Sequence, residues 1–122
     1  MNFFKLFLLS LIVFVFNNNA FAADAAKGQK LFTKCKACHN ADAPKNKVGP
    51  YLVGIVGRKA GTADGYTKYS IAMKDSGIVW DEANLDKWLT NPQGMYPGTK
   101  MIYPGLKKAE DRADVIEYLK TK

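Results

Sequence analysis

The run Cys35-Lys36-Ala37-Cys38-His39 decides how this chain is read, because it holds both cysteines and the single histidine found in 122 residues. On a helical turn, residues three apart share a face, so Cys35 and Cys38 reach the edge of one flat ligand while His39 projects beside them. A tetrahedral zinc site asks for four ligands, and here there are three, with Cys38 and His39 adjacent rather than at finger spacing. A thioredoxin-like dithiol belongs beside a βαβ pattern, and nothing in the chain alternates that way. The pentapeptide suits thioether bonding of both sulfurs to the vinyl groups of a haem, with the imidazole of His39 taking one axial position on the iron.

Upstream, residues 1–22 read as a cleavable secretion signal. Lys5 gives a positive start, residues 6–16 are apolar, and Ala20-Phe21-Ala22 is the small-x-small pattern cut by a signal peptidase, with cleavage expected after Ala22 or one residue later. The apolar run falls well short of the roughly 20 residues that a bilayer-spanning helix needs. Export to the periplasm follows, leaving one domain over residues 23–122. The whole chain carries 18 Lys and Arg against 11 Asp and Glu, a formal net charge of +7, and loss of Lys5 removes one unit. A balance this basic points to nucleic acid, a membrane surface or an acidic protein partner, and export argues against nucleic acid.

Downstream of the signal, helices are expected at both ends with loops between. Asp24 caps a first helix through "AAKGQKLFTKCKAC", in which Gly28 costs about 1 kcal/mol against Ala. That glycine marks either a tolerated surface position or close packing on another element. Ser70 caps a short piece in "YSIAMKDSG", stopped by Gly77. Asp81 caps "EANLDKWLTN", with Leu85, Trp88 and Leu89 on one face, and Pro92 ends it ahead of a loop. The last helix runs from about Lys107 to Lys120, with Ala109, Ala113, Ile116 and Leu119 as its buried stripe.

Residues 40–68 show no helix or strand period. They carry Pro44, Pro50 and five glycines, yet Val48, Tyr51, Leu52, Ile55, Val56 and Tyr66 argue against disorder. So long a structureless segment inside a small domain implies that something besides protein organises it. A haem meets that need. Several hundred Å² of buried macrocycle, at roughly 25 cal/mol per Å², contributes on the order of 10 kcal/mol, comparable with the net stability of a whole domain.

Histidine supplies no second axial ligand. Met73 in the short helical piece and Met95 in a loop fit packing roles. Met101 ends Pro97-Gly98-Thr99-Lys100-Met101, where proline fixes a dihedral and glycine allows a tight turn, so the loop can present its thioether.

With these residues in place, the chain resembles the class I cytochromes c, the small cytochromes c of bacteria and mitochondria. The resemblance runs from "KGQKLFTKCKACH" through "VGPYLVGIVGRKAG" and "GIVW" to "NPQGMYPGTKMIYPGLKKAEDRADVIEYLK". It implies an all-α fold in which the first and last helices cross, Gly28 making room for Tyr118, with short helices and loops wrapped around one covalent haem c. It implies Cys35 and Cys38 as thioether residues, His39 and Met101 as the ligands of iron, and the Pro50 carbonyl as acceptor for the second imidazole nitrogen. Arg58, Tyr69 and Trp80 are implied as donors around a haem propionate, with Tyr66 as the alternative tyrosine because residues 66–77 run one residue longer than the mitochondrial pattern, and with Thr99 also at the cofactor. Trp88 stands where the family carries a tyrosine, and Gln93 and Gly94 where mitochondrial forms carry lysines.

The resemblance also implies a monomeric electron carrier rather than an enzyme. Its donor would be a membrane quinol-oxidising complex and its acceptor a terminal oxidase or reductase. Lys34, Lys36, Lys100, Lys107 and Lys108 would ring the exposed haem edge and steer acidic docking surfaces. A haem enzyme or gas sensor with a displaceable distal ligand is the alternative, and no second histidine stands ready as its distal acid or base.

Overall fold

The structure is a computed structural model, and it describes Val13 and residues 22–122. Apart from Val13 and Ala22, the expected signal lies outside the described residues. Five helices follow in order: α1 (Ala25–Phe32), α2 (Ile71–Asp75), α3 (Glu82–Thr90), α4 (Pro92–Met95) and α5 (Ala109–Leu119). Among the described residues there is no strand, only an isolated antiparallel bridge between Lys59 and Val79. None of these helices is long and apolar enough to cross a membrane.

Local sequence explains most starts. The carboxylate of Asp24 accepts from the N–H groups of Ala26 and Lys27, Ser70 Oγ accepts from Met73, and Asp81 accepts from Asn84. Each satisfies a backbone donor that has no partner inside its helix. Two boundaries differ from expectation. The first helix stops at Phe32, and Cys35–Ala37 form a separate 3₁₀ turn. Cys38 N–H donates to Cys35 O at 3.1 Å and His39 N–H to the same oxygen at 2.9 Å. Side chains at i and i+3 eclipse on such a tight turn, so the two cysteines share a face more strictly than on an α-helix. Pro92, expected only to end α3, also opens α4. Asn91 Oδ1 accepts from Gly94 N–H at 3.0 Å, and a proline at the first helical position gives up an N–H that had no partner anyway.

The pairing that sets the architecture is α1 on α5. A Cβ built on Gly28 would stand 1.9 Å from the Asp114 carbonyl oxygen and 2.9 Å from Tyr118 Cβ. Gly28 is therefore the close-packing glycine, and it makes room for α5 backbone more than for the tyrosine. Past this contact the Phe32 and Tyr118 rings meet with centroids 5.3 Å apart, and Phe32 and Val115 are each only 1% exposed. The buried face of α5 is Asp114, Val115, Ile116, Tyr118 and Leu119. Ala109 and Ala113, expected in that stripe, are exposed: the neighbours cover only the C-terminal part of α5. Arg112 ties α5 to α3 through Asp86 Oδ1 at 2.6 Å and donates to the carbonyls of Leu106 and Lys107.

Residues 40–68 lack helix, as expected, yet protein pins them at several points. Gly49 N–H donates to Cys38 O, Leu52 N–H to Asn40 O and Gly54 N–H to Lys122 O. Gly57 and Ala60 donate to Trp80 and Ile78, and Trp80 returns a bond to Arg58 O. These bonds add a contribution from protein to the organisation that the sequence assigned to a cofactor. They are long-range pairings, which leave no periodic trace in sequence.

Replacing Gly28 by Ala is expected to cost roughly 1–3 kcal/mol through overpacking, although helix propensity works about 1 kcal/mol the other way. Urea unfolding of the cofactor-loaded protein measures this, and an equal or higher midpoint would contradict the close contact.

Candidate functional site

The 3₁₀ turn, the 40–68 segment, α3 and the loop after α4 enclose one cavity of about 540 Å³, within the ~300–1,000 Å³ usual for small-molecule and cofactor sites. Cys35, Cys38, His39, Pro50, Arg58, Tyr69, Trp80, Thr99 and Met101 all line it, so residues spread over more than half the sequence converge on one space. Most of the remaining wall is apolar, including Leu85, Trp88 and Leu89 from α3 and Val115 and Leu119 from α5.

His39 is held from two directions. Its Nδ1–H donates to Pro50 O at 2.7 Å. Because a carbonyl only accepts, this bond fixes the proton on Nδ1 and leaves the Nε2 lone pair for a ligand role. Gly49 lies flat against the ring, since a Cβ there would stand 2.5 Å from Cε1 and 2.8 Å from Nδ1. Sequence reasoning missed Gly49, although a glycine directly before the proline that accepts from the histidine was a usable signal. Burial pushes the imidazole below the ordinary histidine range. The Pro50 bond works against that shift, and the charges of Arg58 and Lys47 add to it. His39 is therefore neutral at neutral pH, the form that binds a metal.

Cys35 and Cys38 are not joined to each other by a disulfide. Burial first, and Cys38 second, push the Cys35 thiol above its ordinary range, the opposite of what a reactive dithiol requires. Among the described residues no group of three or more His, Cys, Asp or Glu is arranged to hold a metal ion by itself. The zinc alternative finds no support in this arrangement.

The opposite wall collects donors. Arg58 donates through Nη1 to Val53 O at 3.2 Å and through Nη2 to Tyr51 O at 2.8 Å. Its Nε–H is buried with no partner among the described residues, and such a donor costs roughly 1–3 kcal/mol unless an acceptor reaches it. Tyr69 Oη accepts from Ala63 N–H at 3.0 Å, which leaves its own O–H free to donate, whereas Tyr66 spends its O–H on Val48 O. Tyr69 rather than Tyr66 is thus equipped to meet an acceptor. Thr99, 9% exposed, accepts from Met101 N–H at 3.4 Å and likewise keeps a hydroxyl proton. A carboxylate-bearing, otherwise apolar ligand fits this wall.

Of the methionines, Met73 and Met101 line the cavity and Met95 does not. Met73 is part of the buried core, 6% exposed. Met101 is half-buried in a loop that Gly98, at φ +85°, turns toward the cavity wall. Trp88 occupies the same wall and packs against Trp80 with the ring planes inclined at 54° and centroids 5.6 Å apart. Of the expected lysines, Lys34 and Lys100 line the mouth, joined by Lys68, which sequence reasoning did not single out. Lys36, Lys107 and Lys108 do not line it.

A thioether-spaced cysteine pair, a neutral histidine with a free nitrogen, an apolar slot and an unsatisfied guanidinium together fit a haem with its propionates. Comparison with known proteins leads the same way. The family model described as Cytochrome c matches residues 25–122. Cytochrome c2 of Rhodomicrobium vannielii is 50% identical over 109 residues, covering 88% of this chain and 86% of that protein. Cytochrome c2 iso-2 of Magnetospirillum molischianum is 52% identical over 99 residues, covering 81% and 98%. The solved structure of cytochrome cH from Methylobacterium extorquens superposes with a TM-score of 0.77 at 53% identity, over 82% of this chain and all of that one. The chain belongs to the cytochrome c family, electron carriers that hold haem c and its iron by covalent attachment.

Proposed function

We propose that this protein is a one-electron carrier of the periplasm, and not an enzyme. Cys35 and Cys38 would hold the haem through thioethers, His39 and Met101 would ligate its iron, and a signal over residues 1–22 is removed on export. The observation that carries this reading is the convergence of the Cys-x-x-Cys-His turn and Met101 on one apolar cavity. When bound, haem supplies a single-electron couple between ferrous and ferric iron.

The chain's own residues set the terms of that couple. The Pro50 carbonyl orients His39 and raises its basicity as a ligand. A thioether ligand from Met101 would favour ferrous iron and so raise the potential. Met101 is favoured over Met73 because Met73 is packed into the core on α2, while Met101 sits on a loop shaped by Pro97 and Gly98. Arg58, Tyr69 and Thr99 stand ready as donors for a propionate, with Trp80 beside them, and burying a propionate without such partners is costly. Trp80, Trp88 and Leu85 keep water from the slot. With His39 and Met101 both holding iron, no position on it would be open to substrate, which is why the enzyme or gas-sensor reading ranks second.

Partners follow from charge. Lys34, Lys68 and Lys100 at the mouth, with Lys36, Lys107 and Lys108 exposed nearby in sequence, favour acidic docking surfaces. A quinol-oxidising membrane complex as donor and a terminal oxidase or reductase as acceptor suit this role. Such charges speed encounter more than they tighten a complex, as suits a carrier that must release its partner.

Replacing Met101 by Ala is expected to abolish the sulfur-to-iron charge-transfer band of the oxidised protein, lower its potential and open the reduced protein to carbon monoxide. An unchanged spectrum would move the ligand to another residue. Prompt carbon monoxide binding by the unmutated reduced protein at neutral pH would instead favour the sensor reading. Replacing Cys35 and Cys38 together by Ala is expected to leave haem extractable by acid and solvent, and a retained cofactor would refute the thioethers. The reaction rate with an acidic redox partner is expected to fall steeply as salt shortens the screening length toward about 8 Å, and a flat salt profile would reduce the lysines to solubility.

A further inference from the structure

Asp114 poses a problem that electron transfer does not explain. Its carboxylate lies in the α1–α5 contact at 8% exposure, and aspartate is almost never buried so deeply without a cation. The ion pairs among the described residues engage Asp86, Glu82, Glu117 and Asp42, not Asp114. One donor reaches it, the backbone N–H of Asp24, at 2.8 Å from Oδ1. That nitrogen lies one or two residues from the expected cleavage point. Ala22, Ala23 and Asp24 are all exposed and precede α1, so the bond to be cut is accessible.

We propose that Asp114 is the receptor for the α-ammonium group created when the signal is removed. The inference rests on the proposed cleavage. Hydrolysis of the peptide bond after Ala22 or Ala23 consumes one water, leaves a carboxylate on the released signal and gives the mature chain an amino group that takes up a proton. A cut after Ala23 turns the nitrogen already bonded to Asp114 into the cation itself. A cut after Ala22 places the cation one residue away. The charged groups facing this point favour it. Asp24 lies on the same strand of backbone, Glu110 and Asp111 sit one turn before Asp114 on α5, and Lys27 is the nearest opposing charge in sequence. The positive end of the α1 dipole works against an ammonium there, which is why a second carboxylate beside the Asp24 cap matters. A charge-assisted bond is stronger than a neutral one, so processing fastens α1 to α5 more firmly. Through Phe32 it also fastens the wall that carries Cys35.

The experiment compares the haem-loaded mature protein carrying a free amino terminus with the same chain acetylated there, each with and without Asp114→Asn. Asparagine keeps one oxygen to accept from Asp24, removes the charge and turns the second oxygen into an NH2 donor. Intact mass is expected to show a chain starting at Ala23 or Asp24. The substitution is expected to lower the melting temperature of the free-amine protein by on the order of 5 °C and that of the acetylated protein much less. Equal losses in both would overturn the receptor role and leave the cleavage standing, while a haem-loaded chain that keeps residues 1–22 would overturn both. If the variant yields no folded protein, the unsubstituted pair decides, because acetylation alone must lower the melting temperature and an unchanged value refutes the pairing.

Discussion

The approach of Gly28 to the Asp114 carbonyl governs where everything else in this small protein can sit. With no Cβ between them, the backbones of α1 and α5 come nearly into contact, and that brings Phe32 down onto Tyr118 and Val115. Only two residues, Thr33 and Lys34, separate the end of α1 from the turn that carries Cys35, Cys38 and His39. A displacement of α1 by the width of a methyl group would therefore be felt at that turn, because close-packed interiors transmit such shifts rather than absorb them.

His39 shows how few parts suffice to orient a ligand. One hydrogen bond fixes which ring nitrogen carries the proton, and one missing side chain lets the loop lie against the ring face. Burial then keeps the imidazole neutral. Across the cavity the logic is reversed. Arg58 is held by two carbonyls yet retains an N–H directed to no protein group among the described residues. One wall thus presents an imidazole nitrogen free to ligate and the other an N–H without a protein acceptor, which fit the central iron of a haem and the propionates at its edge.

How much of this could be read in advance depended on the range of the interaction. Caps at Asp24, Ser70 and Asp81 were legible because an N-cap bonds within three residues of itself. The short helix at Pro92–Met95 was missed because proline ends one helix and begins another with equal ease. The stripe on α5 was misplaced by a turn, since periodicity finds an apolar side but not how far along the helix its neighbours reach. The loop over residues 40–68 was judged to need a cofactor, and its backbone bonds to Cys38, Ile78, Trp80 and Lys122 had no local signature.

By itself, the amino-acid sequence determined the chemistry available here: two thiols and an imidazole in one turn, three methionines after the expected signal, a basic surface and helices at the two ends. Those are properties of residue type and short spacing, and they are carried in the chain whatever its path. Only the tertiary structure decided which groups share one space. It brought Pro50 to His39 and Gly49 onto the imidazole face, distinguished Tyr69 from Tyr66 by the fate of a proton, and left the Arg58 Nε–H without a protein acceptor. Such juxtapositions are set by packing between distant segments, where a shift of an ångström decides whether a hydrogen bond or a clash results.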